Sequence, residues 1–177
     1  MIYFIRHGES EANVRHVFAG QKDDSILTKK GEEQALSTAK EIKKENLRID
    51  KIISSPLKRA LKTAEIIAKE LGFDLSEIIV DDHIIEYDMG SLTGTKAEKI
   101  SSLLLTTAKE AEDPQLFCDR VCSYIKELSE SPENILIVSH AGVGRMLETV
   151  KEGKESNMFY DIPAYGNASV TKIDWIK

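Results

Sequence analysis

Four residues suited to phosphate chemistry lie in three distant parts of the chain, each close behind a short apolar segment. Two are arginines and two are histidines: Arg6, His7, Arg59 and His140. A guanidinium group offers a planar set of donors that fits phosphoryl oxygens. A neutral imidazole is a nucleophile that is available near neutral pH. Brought together, these side chains would bind a phosphoryl group and could accept it on a histidine.

Alternating strands and helices are predicted from the spacing of apolar residues. Strands are predicted at 2–6, 51–54, 78–80, 135–138 and 168–174, and helices at 28–46, 55–71, 96–109, 115–129 and 141–151. This alternation is typical of an α/β fold, a three-layer α/β/α sandwich with a mostly parallel sheet, here as a single domain over 1–177. Ligands bind at the carboxyl ends of parallel strands, so we expect the four residues at one edge of the sheet.

Two predicted helix starts carry further signals. Ser55 is followed by Pro56, a cap residue before proline at the first helical position, so we predict that Ser55 caps this helix. Arg59 then lies in the first turn, where the helix dipole disfavours a cation and indicates a compensating use. The segment after His140, Ala141–Gly144, opens another helix, and its free backbone N–H groups are suited to hold an anion.

The composition argues against several classes of protein. The chain of 177 residues carries a formal net charge of −6 and has no basic run, which disfavours nucleic-acid and anionic-membrane partners. No apolar run is long enough to span a bilayer, and charge follows the first apolar run at once, unlike a secretory signal. We therefore expect a cytoplasmic protein. Cys118 and Cys122 share a helix face without a histidine partner, so we expect them in the core rather than at a metal.

Five segments, in order, resemble the motifs of the histidine phosphatase superfamily, the phosphoglycerate mutase-like proteins. They are FIRHGESEAN at 4–13, LTKKGEEQA at 27–35, SSPLKRALKTA at 54–64, IEYDMG at 85–90 and VSHAG at 138–142. Two positions depart from the usual pattern. Ile26 stands where the family usually has proline, and Ala141 replaces the commoner glycine while still supplying a backbone N–H.

The resemblance implies a role for each residue of the site. His7 would be the nucleophile that carries the phosphoryl group as a phosphohistidine, and Glu86 would donate a proton to the leaving oxygen. The phosphoryl oxygens would be bound by Arg6, Asn13, Arg59, His140 and Ala141. No metal or cofactor is expected, because these cations supply the positive charge that a metal supplies elsewhere. His16 and His83 are expected at the surface. Arg15, Lys22 and Arg145 are expected to be solvated, with contact to the remote charges of a substrate as the alternative.

The resemblance leaves two reactions open. The resemblance implies that mutases of the family are longer chains than this one. They have an insertion after the proton-donor segment and a tail over the site. Here 87–139 has room for little beyond two predicted helices. An uncovered site admits water, so we expect a phosphomonoester hydrolase acting on a small phosphorylated metabolite or, as an alternative, on a phosphoprotein. A phosphoglycerate mutase and a catalytically idle phosphate-binding module are the other hypotheses. The idle module is disfavoured because all the implied catalytic residues are present.

Overall fold

The computed structural model describes residues 1–97 and 101–175. Its strands are β1 (Ile2–Arg6), β2 (Lys51–Ser54), β3 (Ile79–Val80), β4 (Ile135–Ser139) and β5 (Val170–Ile173). Its α-helices are α1 (Glu11–Arg15), α2 (Lys29–Lys44), α3 (Lys58–Leu71), α4 (Ser102–Thr107), α5 (Pro114–Ser129) and α6 (Ala141–Lys151). Short 3₁₀ segments lie at Leu75–Glu77, Asp82–Ile84, Gly90–Leu92 and Ser156–Asp161.

The strands form a five-stranded sheet in the order β3-β2-β4-β1-β5. β4 pairs in parallel with β1 and β2, β2 pairs in parallel with β3, and β5 runs antiparallel to β1. Arg6, at the end of β1, lies beside Ser139 at the end of β4. The mostly parallel sheet confirms the predicted fold class and brings the carboxyl ends of β1, β2 and β4 to one edge.

The central strands are apolar along their length because both faces of the sheet are buried. Helices α5 and α6 and the segment Ser156–Asp161 cover one face through Phe117, Val121, Val143, Met146 and Phe159. Helices α2 and α3 cover the other face through Ala39, Ile42, Ala60, Ala64 and Ile67. Neighbouring residues of β1 point to opposite faces, so Phe4 belongs to the first core and Ile5 to the second. The result is the predicted three-layer arrangement.

The start of α3 differs from the prediction. Ser55 does not cap this helix: the N-cap is Leu57 and the first helical residue is Lys58. The Ser55 hydroxyl instead lies 2.6 Å from the imidazole of His140. A contact across the sheet edge has therefore taken the hydroxyl that the local pattern assigned to the cap. Arg59 still lies in the first turn.

Other helix bounds are close to the predictions. Thr28 caps α2, since its Oγ1 accepts a hydrogen bond from the Gly31 N–H at 3.0 Å. Of the helix predicted at 96–109, residues 98–100 lie outside the described residues, and the later part is shortened to α4. Helix α1 was not predicted. No described helix is both long enough and apolar enough to cross a membrane.

Candidate active site

A cavity of about 340 Å³ lies where the carboxyl ends of the central strands meet. Its lining includes most of the site residues named from the sequence: Arg6, His7, Asn13, Arg59, Glu86 and Ala141. His140 is fully buried and is not part of the lining. Its ring lies beside that of His7, with the two centroids 5.3 Å apart in an edge-to-face arrangement. The topology has thus gathered residues from four distant segments into one place.

His7 is held in one tautomer by its own backbone. Its Nδ1 lies 2.7 Å from the carbonyl oxygen of Gly8. A carbonyl can only accept, so Nδ1 carries the proton and Nε2 keeps its lone pair. Burial, together with the charges of Arg59 and Arg6, holds the pKa of His7 well below its ordinary value. The imidazole is therefore neutral, and Nε2 can act as a nucleophile.

His140 is held by a side chain from the end of β2. Its Nε2 lies 2.6 Å from the Ser55 hydroxyl oxygen, whereas its buried Nδ1 has no hydrogen-bond partner among the described residues. Burial, followed by the charge of Arg59, keeps the pKa of His140 well below its ordinary value. When the Ser55 hydroxyl donates to Nε2, the proton of the neutral ring resides on Nδ1. That N–H is then a donor with no internal acceptor.

The two arginines reach the cavity in different ways. Arg6 donates from Nη1 to the carbonyl oxygen of Tyr165 at 2.8 Å, and its buried Nε has no partner among the described residues. Arg59 is 1% exposed and holds the loop after α1, donating to the carbonyl oxygens of Asp23 and Gly20, both at 2.9 Å. Buried guanidinium groups stay charged, so they give the cavity a fixed positive potential.

Thr63 connects the His7 loop to α3. The Gly8 N–H donates to Thr63 Oγ1 at 3.1 Å, and the Thr63 hydroxyl donates to the Arg59 carbonyl oxygen at 2.8 Å. Thr63 is fully buried. The glycine whose carbonyl oxygen fixes the His7 tautomer is therefore anchored, through its N–H, to the helix that carries Arg59.

Two glycines let the His7 loop lie directly on the start of α2. A Cβ on Gly8 would overlap the carbonyl oxygen of Gly31, and a Cβ on Gly31 would overlap the carbonyl oxygen of Glu9. The Thr28 N–H also donates to that Glu9 carbonyl oxygen at 2.9 Å. The sequence motifs at 4–13 and 27–35 are therefore in direct backbone contact in the folded protein.

Glu86 is fixed by backbone donors on both carboxylate oxygens. Oε1 accepts from the Tyr87 N–H at 2.9 Å and Oε2 from the Gly142 N–H at 3.2 Å. A Cβ at Gly142 would overlap Oε1, so this approach requires glycine. The backbone N–H groups of Ala141–Gly144 were expected to be suited to hold an anion, and in the structure the one on Gly142 faces Glu86. The side chain of Gln21 donates to the Glu86 carbonyl oxygen at 2.8 Å and ties this residue to the loop.

Asn13 and Ala141 both line the cavity, as predicted. The side-chain oxygen of Asn13 accepts from the Ser10 N–H at 3.0 Å and from the Asn167 amide at 3.3 Å. Its NH₂ group is consequently the part left to donate. Ala141 is the first residue of α6, where backbone N–H groups have no partner within the helix.

Sequence reasoning missed one side of the cavity. Arg145 was expected to be solvated, and this is wrong: it is half-buried, lines the cavity and donates from Nη1 to the Tyr160 carbonyl oxygen at 2.7 Å. Val17, Phe18 and Met89 add an apolar wall beside the Tyr160 ring. No motif marks these positions, because they meet only when the segment Ser156–Asp161 folds back over α6.

The remaining candidates lie outside the site or at its mouth. His16 is exposed at the cavity mouth, and His83 is exposed elsewhere. Cys118 and Cys122 are half-buried against the core, with their sulfur atoms 3.8 Å apart. In the described ranges, no group of three or more His, Cys, Asp or Glu residues is placed to hold a metal ion.

Comparison with known proteins assigns the chain to a family. The model of the histidine phosphatase superfamily (branch 1) matches residues 2–177, and the chain belongs to this superfamily. Among its relatives is the 2,3-bisphosphoglycerate-dependent phosphoglycerate mutase of Thermoplasma acidophilum. It is 34% identical over 96% of this chain and 84% of its own. The family resemblance seen in the sequence motifs is confirmed.

Solved structures with similar folds include phosphatases. Mycobacterial glucosyl-3-phosphoglycerate phosphatase, complexed with VO3, is 22% identical with a TM-score of 0.76, covering 96% of this chain and 90% of its own. Phosphoserine phosphatase of Entamoeba histolytica, in complex with 3-phosphoglyceric acid, is 24% identical with a TM-score of 0.78. That match covers 96% of this chain and 87% of the other. These similarities establish the shared fold.

Proposed function

We propose that this chain is a phosphomonoester hydrolase that works through a phosphohistidine on His7. The observation that carries the proposal is the state of His7: a buried, neutral imidazole whose free Nε2 belongs to a cavity lined by Arg6 and Arg59. A nucleophile beside two fixed cations suits attack on a phosphoryl group, because the cations stabilise the charge that spreads over its oxygens.

The reaction has two steps. In the first, Nε2 of His7 bonds to phosphorus, the ester P–O bond breaks, and Glu86 gives its proton to the leaving alcohol oxygen. In the second, Glu86 takes a proton from water, whose oxygen bonds to phosphorus as the N–P bond breaks. Inorganic phosphate leaves, and both His7 and Glu86 return to their starting states. Arg6, Arg59, the Asn13 amide and the Ala141 N–H, which line the cavity, hold the phosphoryl oxygens. The unpartnered Nδ1–H of His140, buried beside the ring of His7, is the fifth donor of the proposal.

Access of water favours hydrolysis over transfer to a second alcohol. His16 and Ala97 line the cavity and are exposed, so in the described part of the chain the cavity opens to solvent. Its volume of about 340 Å³ suits a small phosphorylated metabolite better than a folded phosphoprotein.

Phosphoglycerate mutase activity is the second candidate. It is favoured by the 34% identity to the Thermoplasma acidophilum mutase. Both activities would use the same phosphohistidine, and they differ in the acceptor of the phosphoryl group: water in one case and a second hydroxyl in the other.

The test combines two assays with an active-site variant. Phosphate release from a panel of monoesters is measured beside conversion of 3-phosphoglycerate to 2-phosphoglycerate, and a phosphorylated His7 is sought by mass spectrometry after rapid quenching in base. We expect phosphate release without isomerisation, and its loss in a folded His7→Ala variant. His83→Ala, at an exposed histidine away from the cavity, is the matched control. If His7→Ala kept more than about a tenth of wild-type turnover, His7 would be ruled out as the nucleophile.

A further inference from the structure

Arg145 is a cation without a protein anion. Three other arginines, Arg15, Arg48 and Arg120, each form an ion pair with a carboxylate. Arg6 and Arg59 belong to the phosphate site proposed above. Across residues 1–97 and 101–175, Arg145 is the arginine that has neither kind of partner. A half-buried guanidinium in that position is poorly compensated unless a ligand supplies the negative charge.

The guanidinium of Arg145 is also held in place. It lies over the Tyr160 ring, 5.2 Å from the ring centroid, while Nη1 donates to the Tyr160 carbonyl oxygen at 2.7 Å. Its buried Nε has no hydrogen-bond partner among the described residues. A fixed guanidinium with unused donor capacity loses little conformational entropy when it binds an anion, which is the arrangement expected of a binding group.

The charges around the cavity leave room for a second anion. Its lining contains the cations Arg6, Arg59 and Arg145, and in the described chain Glu86 is its one carboxylate. A phosphate monoester carries up to two negative charges, which Arg6 and Arg59 match. The charge of Arg145 also lowers the pKa of Arg6, so the two guanidinium groups are close enough to interact. Glu86 enters the proposed first step protonated and then brings no charge, so phosphate alone leaves one cation unmatched.

A carboxylate fits this position better than a second phosphate group. Nη1 of Arg145 is already engaged with Tyr160, and one guanidinium matches one negative charge. A second phosphate dianion would need more donors than this wall offers, because Phe18 and Met89 contact the same Tyr160 that holds Arg145, and Val17 also lines the cavity. The same wall suits the carbon skeleton of a short alcohol.

We propose that Arg145 forms a carboxylate subsite, so that the preferred substrates are phosphate monoesters of small hydroxy acids. The inference rests on the proposed function for the position of the phosphate. It assigns to Arg145 the recognition of the leaving alcohol, which no residue of the recognised motifs performs.

Binding without turnover tests the subsite separately from the reaction. In the His7→Ala protein, calorimetry compares 3-phosphoglycerate with glycerol 3-phosphate, which has the same carbon skeleton but a neutral CH₂OH in place of the carboxylate. We expect the carboxylate ester to bind about 10- to 100-fold tighter, the range for hydrogen bonds to charged groups. Adding Arg145→Gln, which keeps a donor for the Tyr160 carbonyl oxygen, should remove most of that preference and leave the affinity for glycerol 3-phosphate within about threefold.

Two further variants keep the test decisive. Arg48→Gln removes an arginine whose side chain is 81% exposed and which precedes β2, at the opposite edge of the sheet, so it should leave the preference unchanged. If Arg145→Gln does not fold, Arg145→Lys, which keeps the charge but loses the planar fork, should still reduce the preference several-fold. The inference is overturned if the two esters bind with equal affinity, or if neither binds detectably. It is also overturned if the preference for the carboxylate ester is unchanged in the Arg145 variants. Failure of phosphate release in the active enzyme overturns the proposed function instead.

Discussion

The proposed proton donor Glu86 differs from the neighbouring acid Asp88 in what holds it. Glu86 is buried in the cavity wall, with backbone N–H groups on both carboxylate oxygens. Asp88, two residues on, accepts from the Gly90 N–H at 2.8 Å and lies 3.7 Å from Lys22 Nζ. It does not line the cavity. The two carboxyl groups therefore make a matched pair for testing proton donation.

We expect Glu86→Gln to depend on the leaving group. An alkoxide is a poor leaving group and needs a proton, whereas nitrophenolate is stable as an anion. General acid catalysis is typically worth about 10²- to 10⁴-fold, so kcat/KM for an alkyl phosphate should fall at least about 100-fold. The value for p-nitrophenyl phosphate should fall much less. Asp88→Asn is the control and should change both values only a few-fold. Equal losses for the two esters in Glu86→Gln would mean that Glu86 holds the site together without donating a proton.

At the scale of elements, the site depends on the contact between the His7 loop and the start of α2. Gly31 is the first-turn residue whose N–H binds the cap Thr28, and it also lies against the backbone of Glu9. A Cβ at Gly31 would meet backbone atoms of Glu9, and these cannot rotate away as a side chain can.

We expect Gly31→Ala to be strongly destabilising. Its Cβ would overlap the Glu9 backbone, so the loop that carries His7 must shift. Overpacking of this kind costs about 1–3 kcal/mol, to be measured as the free energy of unfolding in urea, and kcat should fall with it. Gly166→Ala is the control, because a Cβ there would meet Ser169 at an ordinary contact distance of 3.8 Å. Equal stability of the two variants would contradict the proposed packing.

At the scale of the whole molecule, the fold concentrates positive charge at one edge of the sheet while the chain as a whole carries −6. Arg6, Arg59 and Arg145 all line the same cavity. Such a field stabilises a phosphoryl group directly, without help from a divalent ion.

We therefore expect the activity to be independent of metal. Phosphate release after dialysis against EDTA should stay within about twofold of the untreated enzyme, since the guanidinium groups are covalently part of the chain. Activity that disappears with EDTA and returns with zinc or magnesium would contradict this expectation.

The stability of the whole protein should fall on mild acidification. The folded-state pKa values of His7 and His140 lie well below the ordinary value, chiefly because both rings are buried. The unfolded chain therefore binds more protons than the folded protein once the pH drops below about 6.5. The free energy of unfolding should decrease by up to about 1.4 kcal/mol per pH unit for each histidine. Urea titrations between pH 7.5 and 5 measure this slope. It should be shallower in a folded His7→Asn variant, and an unchanged slope would contradict the assignment.

Much of the fold was predictable because its signals are local. Apolar runs mark β1, β2 and β4, and the cap at Thr28 and the αL glycine Gly72 bound their helices as expected. These features depend on residues within about one helical turn of each other. Arg6, His7 and His140, which lie at or directly after strand ends, were gathered at the sheet edge because strand topology brings the carboxyl ends together.

The tertiary structure decided the hydrogen-bond partners of individual polar groups. Ser55 was expected to cap a helix, yet its hydroxyl holds His140, 85 positions away in the chain. The N–H groups of Ala141–Gly144 were expected to be free for an anion, yet the one on Gly142 holds Glu86. Arg145 was expected in water, yet it lies in the cavity wall against Tyr160. A buried polar group binds whichever partner the packed chain brings within hydrogen-bond distance. Short-range sequence patterns do not determine which distant residues come that close.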